Sequence, residues 1–383
     1  MKPIFQALNH AFFSELNDIK NSYYKLLLIT TLPILSFALV IAMFYEGVAS
    51  KLPITVVDND KSELSRKLLF NINASSTVKI ASTSLSLKDA IALVKSSKVY
   101  AVVVIPPHFQ RDTLLKTQPK VRAMINTQYI LIGKIITGAL VETVAYSAAE
   151  VEFVEDLVLT QNSNLALHTI SPIGLQITPF FNTYKNYFLF LVSALLPSIW
   201  QIFIVITTIV SFGTLFKAQK EREYFGNEYI TTKIIGKLLP YTFVYTLMGI
   251  GFLFYIYGTL GWAFEGSFSV TIFGMFLTVI AYQIIALFLF VTGFDYARAL
   301  SLGAVYTAPA FAFLGVTFPI YNMNSFALFW RDILPVSHYV ELQISQANYG
   351  ADVFLEIDKL LTIAAFFLLF IPVVMRFKSR LAS

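Results

Sequence analysis

Segments 26–45, 187–216, 238–257, 268–291, 300–318 and 360–375 are each long and apolar runs, and they restrict the fold more than any motif in the chain. A helix needs about 20 mostly apolar residues to cross the hydrocarbon of a bilayer. Inside lipid every backbone N–H and C=O must be satisfied within the segment, so apolar runs of this length span as helices. The 13% of charged residues is low against about 25% for a soluble domain, and 56% of the 383 residues are hydrophobic. The expected fold is a polytopic α-helical membrane protein with six transmembrane helices. Pro197 lies inside the second run and Pro309 inside the fifth. The first run exceeds the apolar core of a signal peptide and follows a long polar lead, so an uncleaved anchor is expected despite the small residues Gly47-Val48-Ala49.

Lys and Arg mark the cytoplasmic ends of short loops. Lys2, Lys20 and Lys25 precede the first run; Lys217, Lys220, Arg222, Lys233 and Lys237 lie between the second and third; Arg298 lies between the fourth and fifth; Arg376, Lys378 and Arg380 follow the sixth. The alternate loops are poor in such residues. Both termini and the charged island 217–237 are therefore expected in the cytoplasm, and residues 46–186 outside it. The net charge of +5 is used up by this pattern, which leaves no case for nucleic-acid binding.

The long outer segment alternates strand and helix. "LPITVVD" reads as a strand and "SELSRKLLFNI" as a helix with Ser62 as N-cap; "TVKIAS", "SLKDAIALVKSS", "YAVVVIPP", "PHFQRDTLLK" and "KVRAMINT" continue the alternation. This predicts an inserted α/β domain over about residues 52–127. Residues 128–160 then form one long helix whose acids Glu150, Glu152, Glu155 and Asp156 read as a solvated face.

Residues 1–24 carry Ile4, Phe5, Leu8, Phe12 and Leu16 at helical spacing, with Gln6, Asn9, His10 and Glu15 between them. Such a helix lies on the cytoplasmic membrane surface or packs on protein, and both hold together. Segment 319–358 is too polar to span and is expected as a short outer helix or re-entrant piece. Its aromatics Phe329, Trp330 and Tyr339 suit the lipid interface.

Several chemistries are absent from the sequence. There is no cysteine, and His10, His108, His168 and His338 are scattered, so no metal site is expected. There is no G-x-x-x-x-G-K-[ST] phosphate loop, no H-E-x-x-H and no G-x-S-x-G. No ionisable residue lies in the core of the six runs, which argues against an ion-driven transporter. Their neutral polar groups Gln201, Thr207, Thr208 and Gln283 are either helix-packing donors or lining of a substrate pathway.

The order of one span, a large outer domain and five further spans resembles the permease subunit of type-2 ATP-binding-cassette (ABC) exporters. "LPITVVDNDKSELSRKLL", "AVVVIPPHFQRDTLL", "INTQYILIGK" and "GVTFPIYNMNSFALFWRDILPVSHYVE" are similar to segments of that family. The family pattern R-E-x-E-x-G-T stands here as "KEREYFGNEY", without the Thr, and its Asn-Pro before the second span is Asn182-Thr183. The resemblance implies that residues 217–233 form a cytoplasmic coupling helix, with Lys220, Glu221, Arg222, Glu223, Tyr224 and Gly226 docking on an ABC ATPase subunit. It further implies no cofactor on this chain, ATP and Mg bound by that partner, a dimer with a second permease copy or a paralogue, contact with membrane lipid, a periplasmic adaptor on the outer domain, and a multi-pass location in a bacterial inner membrane. The implied activity is export of an apolar or amphipathic, drug-like or lipid-like substrate. A membrane-anchored extracytoplasmic binding or assembly protein is the alternative that the residues leave open.

Overall fold

A computed structural model describes residues 2–45, 47, 49–160, 181, 186–226 and 228–382. His168, Asn182 and Thr183 lie outside the described residues. The chain divides into two compact units, one of Met1–Gly47 with Pro179–Ser383, the other of Val48–Thr178.

The second unit is built on a sheet of β1 (Leu52–Asp58), β2 (Val78–Thr83), β3 (Ala101–Ile105) and β4 (Arg122–Ile125). The strand order is β2-β1-β3-β4. β1 pairs parallel with β2 and β3, and β4 runs antiparallel to β3, so the sheet is mixed. Helices α3 (Glu63–Ala74) and α4 (Leu87–Lys95) make the two crossovers. The first crossover steps one way across the sheet and the second steps back past β1. Right-handed connections then put the two helices on opposite faces. The cores agree. Ile54, Val56, Ala101 and Val103 pack with Leu68 and Ile72 of α3 on one side, while Val57 and Val102 meet Ala90 of α4 on the other. α5 (Phe109–Leu114) follows β3, and the unit closes with the 31-residue α6 (Ile130–Thr160). Residues 130–154 of α6 are themselves long and apolar enough to cross a membrane. Their packing assigns them to the sheet, because Ile136, Ala139 and Leu140 belong to the same buried cluster as Ile54 and Val103.

The first unit is helical. It contains α1 (Lys2–Asn21) and the apolar helices α2 (Tyr23–Phe44), α7 (Phe188–Lys217), α9 (Ile230–Thr259), α10 (Phe268–Val291) and α15 (Val353–Ala382). α7 and α10 form its centre: 61% and 67% of their apolar windows are buried, against 17–39% for the other three. Between α7 and α9 sits the short α8 (Glu221–Phe225).

Two expectations fail here. Segment 300–318 is not one span. It is α11 (Tyr296–Thr307) followed by α12 (Ala310–Phe313), with the break at Ala308-Pro309. Proline has no N–H to give to the preceding turn and its ring collides with the carbonyl four residues back. Among the described residues the six helices long and apolar enough to cross a membrane thus include α6 and omit this segment. Within segment 319–358 it is the interfacial placement of Tyr339 that fails. Phe329 of α13 (Ser325–Asp332) is exposed, but α14 (Pro335–Ile344) is core, and Tyr339 is 1% exposed with its ring 6.3 Å from that of Trp200. Polar contacts tie α14 into this core, although the Ser337 hydroxyl finds no partner among the described residues. Gln343 donates to the Ser193 carbonyl at 3.2 Å, and the Val336 N–H donates to the Tyr282 hydroxyl at 3.2 Å.

Candidate functional site

α8 is a five-residue helix in a turn between two apolar helices, and its anchorage comes from its last two residues. Phe225 is fully buried. Its ring lies 6.1 Å from Phe212 in a stacked arrangement and 5.6 Å from Phe377 of α15. Phe216, Phe290 and Phe294 extend this group, with Phe216 5.2 Å from Phe294 and 5.7 Å from Phe377. Pairs at these separations add about 0.5–1.5 kcal/mol each beyond burial of area. Lys233 donates to the Phe225 carbonyl at 2.6 Å and closes the C-terminal end of α8. Gly226 follows with φ +55° and ψ −158°, a conformation open essentially to glycine alone.

The charged residues of the island divide by exposure. Lys220, Arg222 and Glu223 face outward. Glu221 and Glu223 occupy the first turn of α8, and one carboxylate oxygen of Glu221 is buried with no hydrogen-bond partner among the described residues. Lys237 does not belong to this surface. It lies within α9, is 2% exposed, and ion-pairs with Glu15 of α1, which is 1% exposed. The sequence placed Lys237 outside the third span as a topology signal and Glu15 on the polar side of α1; the structure buries both.

Glu15 is a hub for four elements. Besides Lys237, its carboxylate accepts from Lys25 of α2 at 3.2 Å, from the Tyr241 hydroxyl of α9 at 2.5 Å and from the Ser211 hydroxyl of α7 at 2.8 Å. Asp18 also pairs with Lys25. Burial pushes the Glu15 carboxyl up, but the fields of Lys237 and Lys25 and the hydrogen bonds from Lys237 and Tyr241 outweigh it, so the group titrates below the usual carboxylate range. The Lys237 ammonium sits 4.9 Å from the centre of the Tyr224 ring and 5.6 Å from that of Phe212, within cation–π range. Tyr224 in turn donates to the Ala11 carbonyl of α1 at 3.2 Å. Burial, followed by the fields of Glu15 and Asp18, raises the Tyr224 phenol and keeps it a donor.

Close approach makes this possible. A Cβ on Gly236 would stand 2.7 Å from the Leu8 carbonyl oxygen and 2.8 Å from the Ala11 side chain, so only glycine lets α1 lie against α9. The stripe that α1 buries is Ala11, Glu15 and Ile19, while Ile4, Phe5 and Phe13 stay exposed. α1 is thus docked on protein through one stripe and presents apolar side chains elsewhere. The signal available for this in sequence was weak. A lone Glu fell at helical spacing from small and apolar residues, but its partner Lys237 is 222 residues away.

The four neutral polar residues, offered by the sequence as helix-packing donors or as pathway lining, are all buried, and three of them have hydrogen-bond partners within the helical unit. Gln201 donates to the carbonyl of Thr307, the last residue of α11, at 3.2 Å. That carbonyl is one that helix termination leaves without a partner. Gln283 accepts from Thr242 at 2.8 Å and donates to the Leu238 carbonyl at 3.3 Å. Thr207 bonds back to the Phe203 carbonyl at 2.7 Å, and the Thr208 hydroxyl has no partner among the described residues. None of the four lines the small cavity among Phe37, Pro197, Trp200 and Tyr339. Among the described residues no group of His, Cys, Asp and Glu could hold a metal ion.

In the sheet unit, open α/β sheets take ligands beyond the carboxyl ends of strands where the order reverses, here between β1 and β3. The chain's own carboxylates occupy that position. Asp58 accepts from the N–H groups of Asp60 and Lys61 and from the Ser65 hydroxyl, and Asp60 accepts from the Gln110 N–H at 3.0 Å. Desolvation pushes the Asp60 carboxyl up, but the hydrogen bonds from Ser62 and from the backbone of Gln110, Phe109 and His108 outweigh it, leaving it below its ordinary value.

The family model described as "ABC-2 family transporter protein" matches residues 24–375. No curated protein matches the chain. The match covers nearly the whole sequence, and the chain belongs to the ABC-2 transporter family.

Proposed function

Proceeding from membership of a family of multi-pass transport permeases that are not themselves catalytic and work with an ABC ATPase, we propose that this chain is the membrane-spanning subunit of an ATP-driven exporter. It moves an apolar or amphipathic substrate out of the cytoplasm or inner membrane. ATP and Mg are bound by a separate nucleotide-binding subunit, and the permease works as a dimer with a copy of itself or a paralogue. Both termini and α8 face the cytoplasm, and the sheet unit lies outside, where it passes substrate on or meets a periplasmic adaptor.

The observation that carries this reading is the build of α8. Lys220, Arg222 and Glu223 are exposed on a turn that is tied to the helices of the unit through Tyr224, Phe225 and Lys233. A surface of mixed charge gives oriented pairing with a partner, and a fixed base transmits displacement where a floppy turn would absorb it. Movement of α8 would reach α1 through Tyr224 and Ala11, and the apolar helices through the Glu15 hub.

The test is ATP hydrolysis by the complex purified through a tag on this chain, comparing wild type with Glu221→Lys/Glu223→Lys. Co-purifying ATPase that is lost or uncoupled in the variant supports the reading. If no ATPase co-purifies in mild detergent, the proposal fails.

A further inference from the structure

The sheet unit contains a cavity of about 710 Å³ between α3, α5, the loop after α5 and α6. This lies within the 300–1,000 Å³ typical of small-molecule sites. Its floor is apolar and continuous with the core: Leu68 is buried, and Phe109, Val121 and Val144 are partly buried against the same cluster. Polar bridges between α3 and α6 border it, where Lys67 pairs with Glu150 at 2.9 Å and Asn71 donates to the Ser147 hydroxyl at 3.0 Å. The open side is bounded by the loop after α5, which brings Lys116 and Lys120 to the rim. Lys120 is exposed and makes no ion pair among the described residues. Among the described residues the carboxylates lining it are Glu150 and Glu152 of α6, and the first of them is engaged by Lys67.

An apolar floor bordered by polar bridges, with exposed lysine on the loop after α5, fits one kind of occupant. We propose that this cavity binds a single-chain amphiphile with an acidic head, its acyl chain on Leu68, Phe109 and Val144 and its head toward Lys120. Apolar surface left facing water in an open cleft is stabilised by an acyl chain that covers it. The head is placed by charge: Lys120, with no ion pair among the described residues, is on the loop after α5, and the described lining acids are on α6. The inference deepens the export reading by giving the sheet unit a ligand of stated chemistry, but it is tested without any ATPase.

The purified full-length chain in phosphatidylcholine nanodiscs is irradiated with a diazirine-bearing palmitate, and labelled peptides are mapped by mass spectrometry. Label is expected on peptides carrying Leu68, Phe109 and Val144. Palmitate should compete, while hexadecanol and hexadecyltrimethylammonium should not. Competition by lysophosphatidic acid better than by palmitate would assign the head to a phospholipid, and the reverse to a free acid. Ala148→Trp, at an exposed lining position, should block labelling, and Lys120→Glu should weaken it about fivefold. Both variants should unfold at the wild-type temperature. Label confined to the apolar helices of the first unit, equal competition by the cationic amphiphile, or wild-type labelling in both variants would overturn the proposal and leave the coupling reading standing.

Discussion

Replacing Glu15 by Ala tests whether the buried hub holds α1 and α9 together. The substitution removes the carboxylate that accepts from Lys237, Lys25, Tyr241 and Ser211, and it leaves Lys237, 2% exposed, without its counter-charge. Breaking a buried ion pair from one side costs about 3–5 kcal/mol, because the remaining charge stays desolvated. For a unit of this size each kcal/mol moves the midpoint by about 2–4 °C, so Glu15→Ala should lower the Tm of the chain in detergent by about 6–20 °C. Lys237→Met should cost less, since Glu15 keeps Lys25, Tyr241 and Ser211. The double variant Glu15→Ala/Lys237→Met should be more stable than Glu15→Ala alone, because it removes the stranded ammonium; coupling of about 0.5–3 kcal/mol is the range for groups in direct contact. Exposed Lys20→Ala serves as the control. A Glu15→Ala chain melting within about 2 °C of wild type, or a double variant no better than the single, would refute the assignment of the hub as a structural tie.

The same carboxyl gives a pH dependence. Its folded pKa lies below the unfolded value of about 4.3, so its contribution is complete above that pH and is lost as pH falls through the folded value. The Tm difference between wild type and Glu15→Gln should hold constant from pH 8 to about 5 and shrink below about 4; a difference that grows on acidification would contradict the sign. Gly236→Val should push α1 off α9, since its Cβ meets the Leu8 carbonyl at 2.7 Å, and limited proteolysis should then release the N-terminal helix faster than in wild type. Phe225→Ala should cost about 3–5 kcal/mol and loosen α8, read as a lower Tm with faster amide exchange over Glu221–Phe225. Asp60→Ala removes an acceptor for the first N–H groups of α5 and should cost about 0.5–2 kcal/mol, with exchange rising at Phe109–Leu114.

Much of the architecture was legible because it rests on local pattern. Twenty-residue apolar runs, the alternation of strand and helix over 52–127 and the N-cap at Ser62 each follow from neighbours a few residues apart, and the structure places helices and strands there. The position of a charged turn between two apolar helices was legible too, since Lys and Arg stand out against lipid-compatible sequence.

Burial of polar and charged residues depended instead on partners distant in the chain, and one apolar run was cut by its own proline. Tyr339 looked interfacial amid polar neighbours, yet Ser193 and Tyr282 supply hydrogen bonds that let α14 enter the core. Segment 300–318 had the composition of a span, and Pro309 divided it. Glu15 and Lys237 each read as solvated because a single charge is costly to bury, and only the tertiary structure brings in the opposite charge that makes burial affordable. The sequence alone determined that the chain is a helical membrane protein with an inserted strand-and-helix segment. The tertiary structure decided which charges face a partner and which tie the helices together, because the free energy of a buried ion depends on its counter-ion and not on its neighbours in the chain.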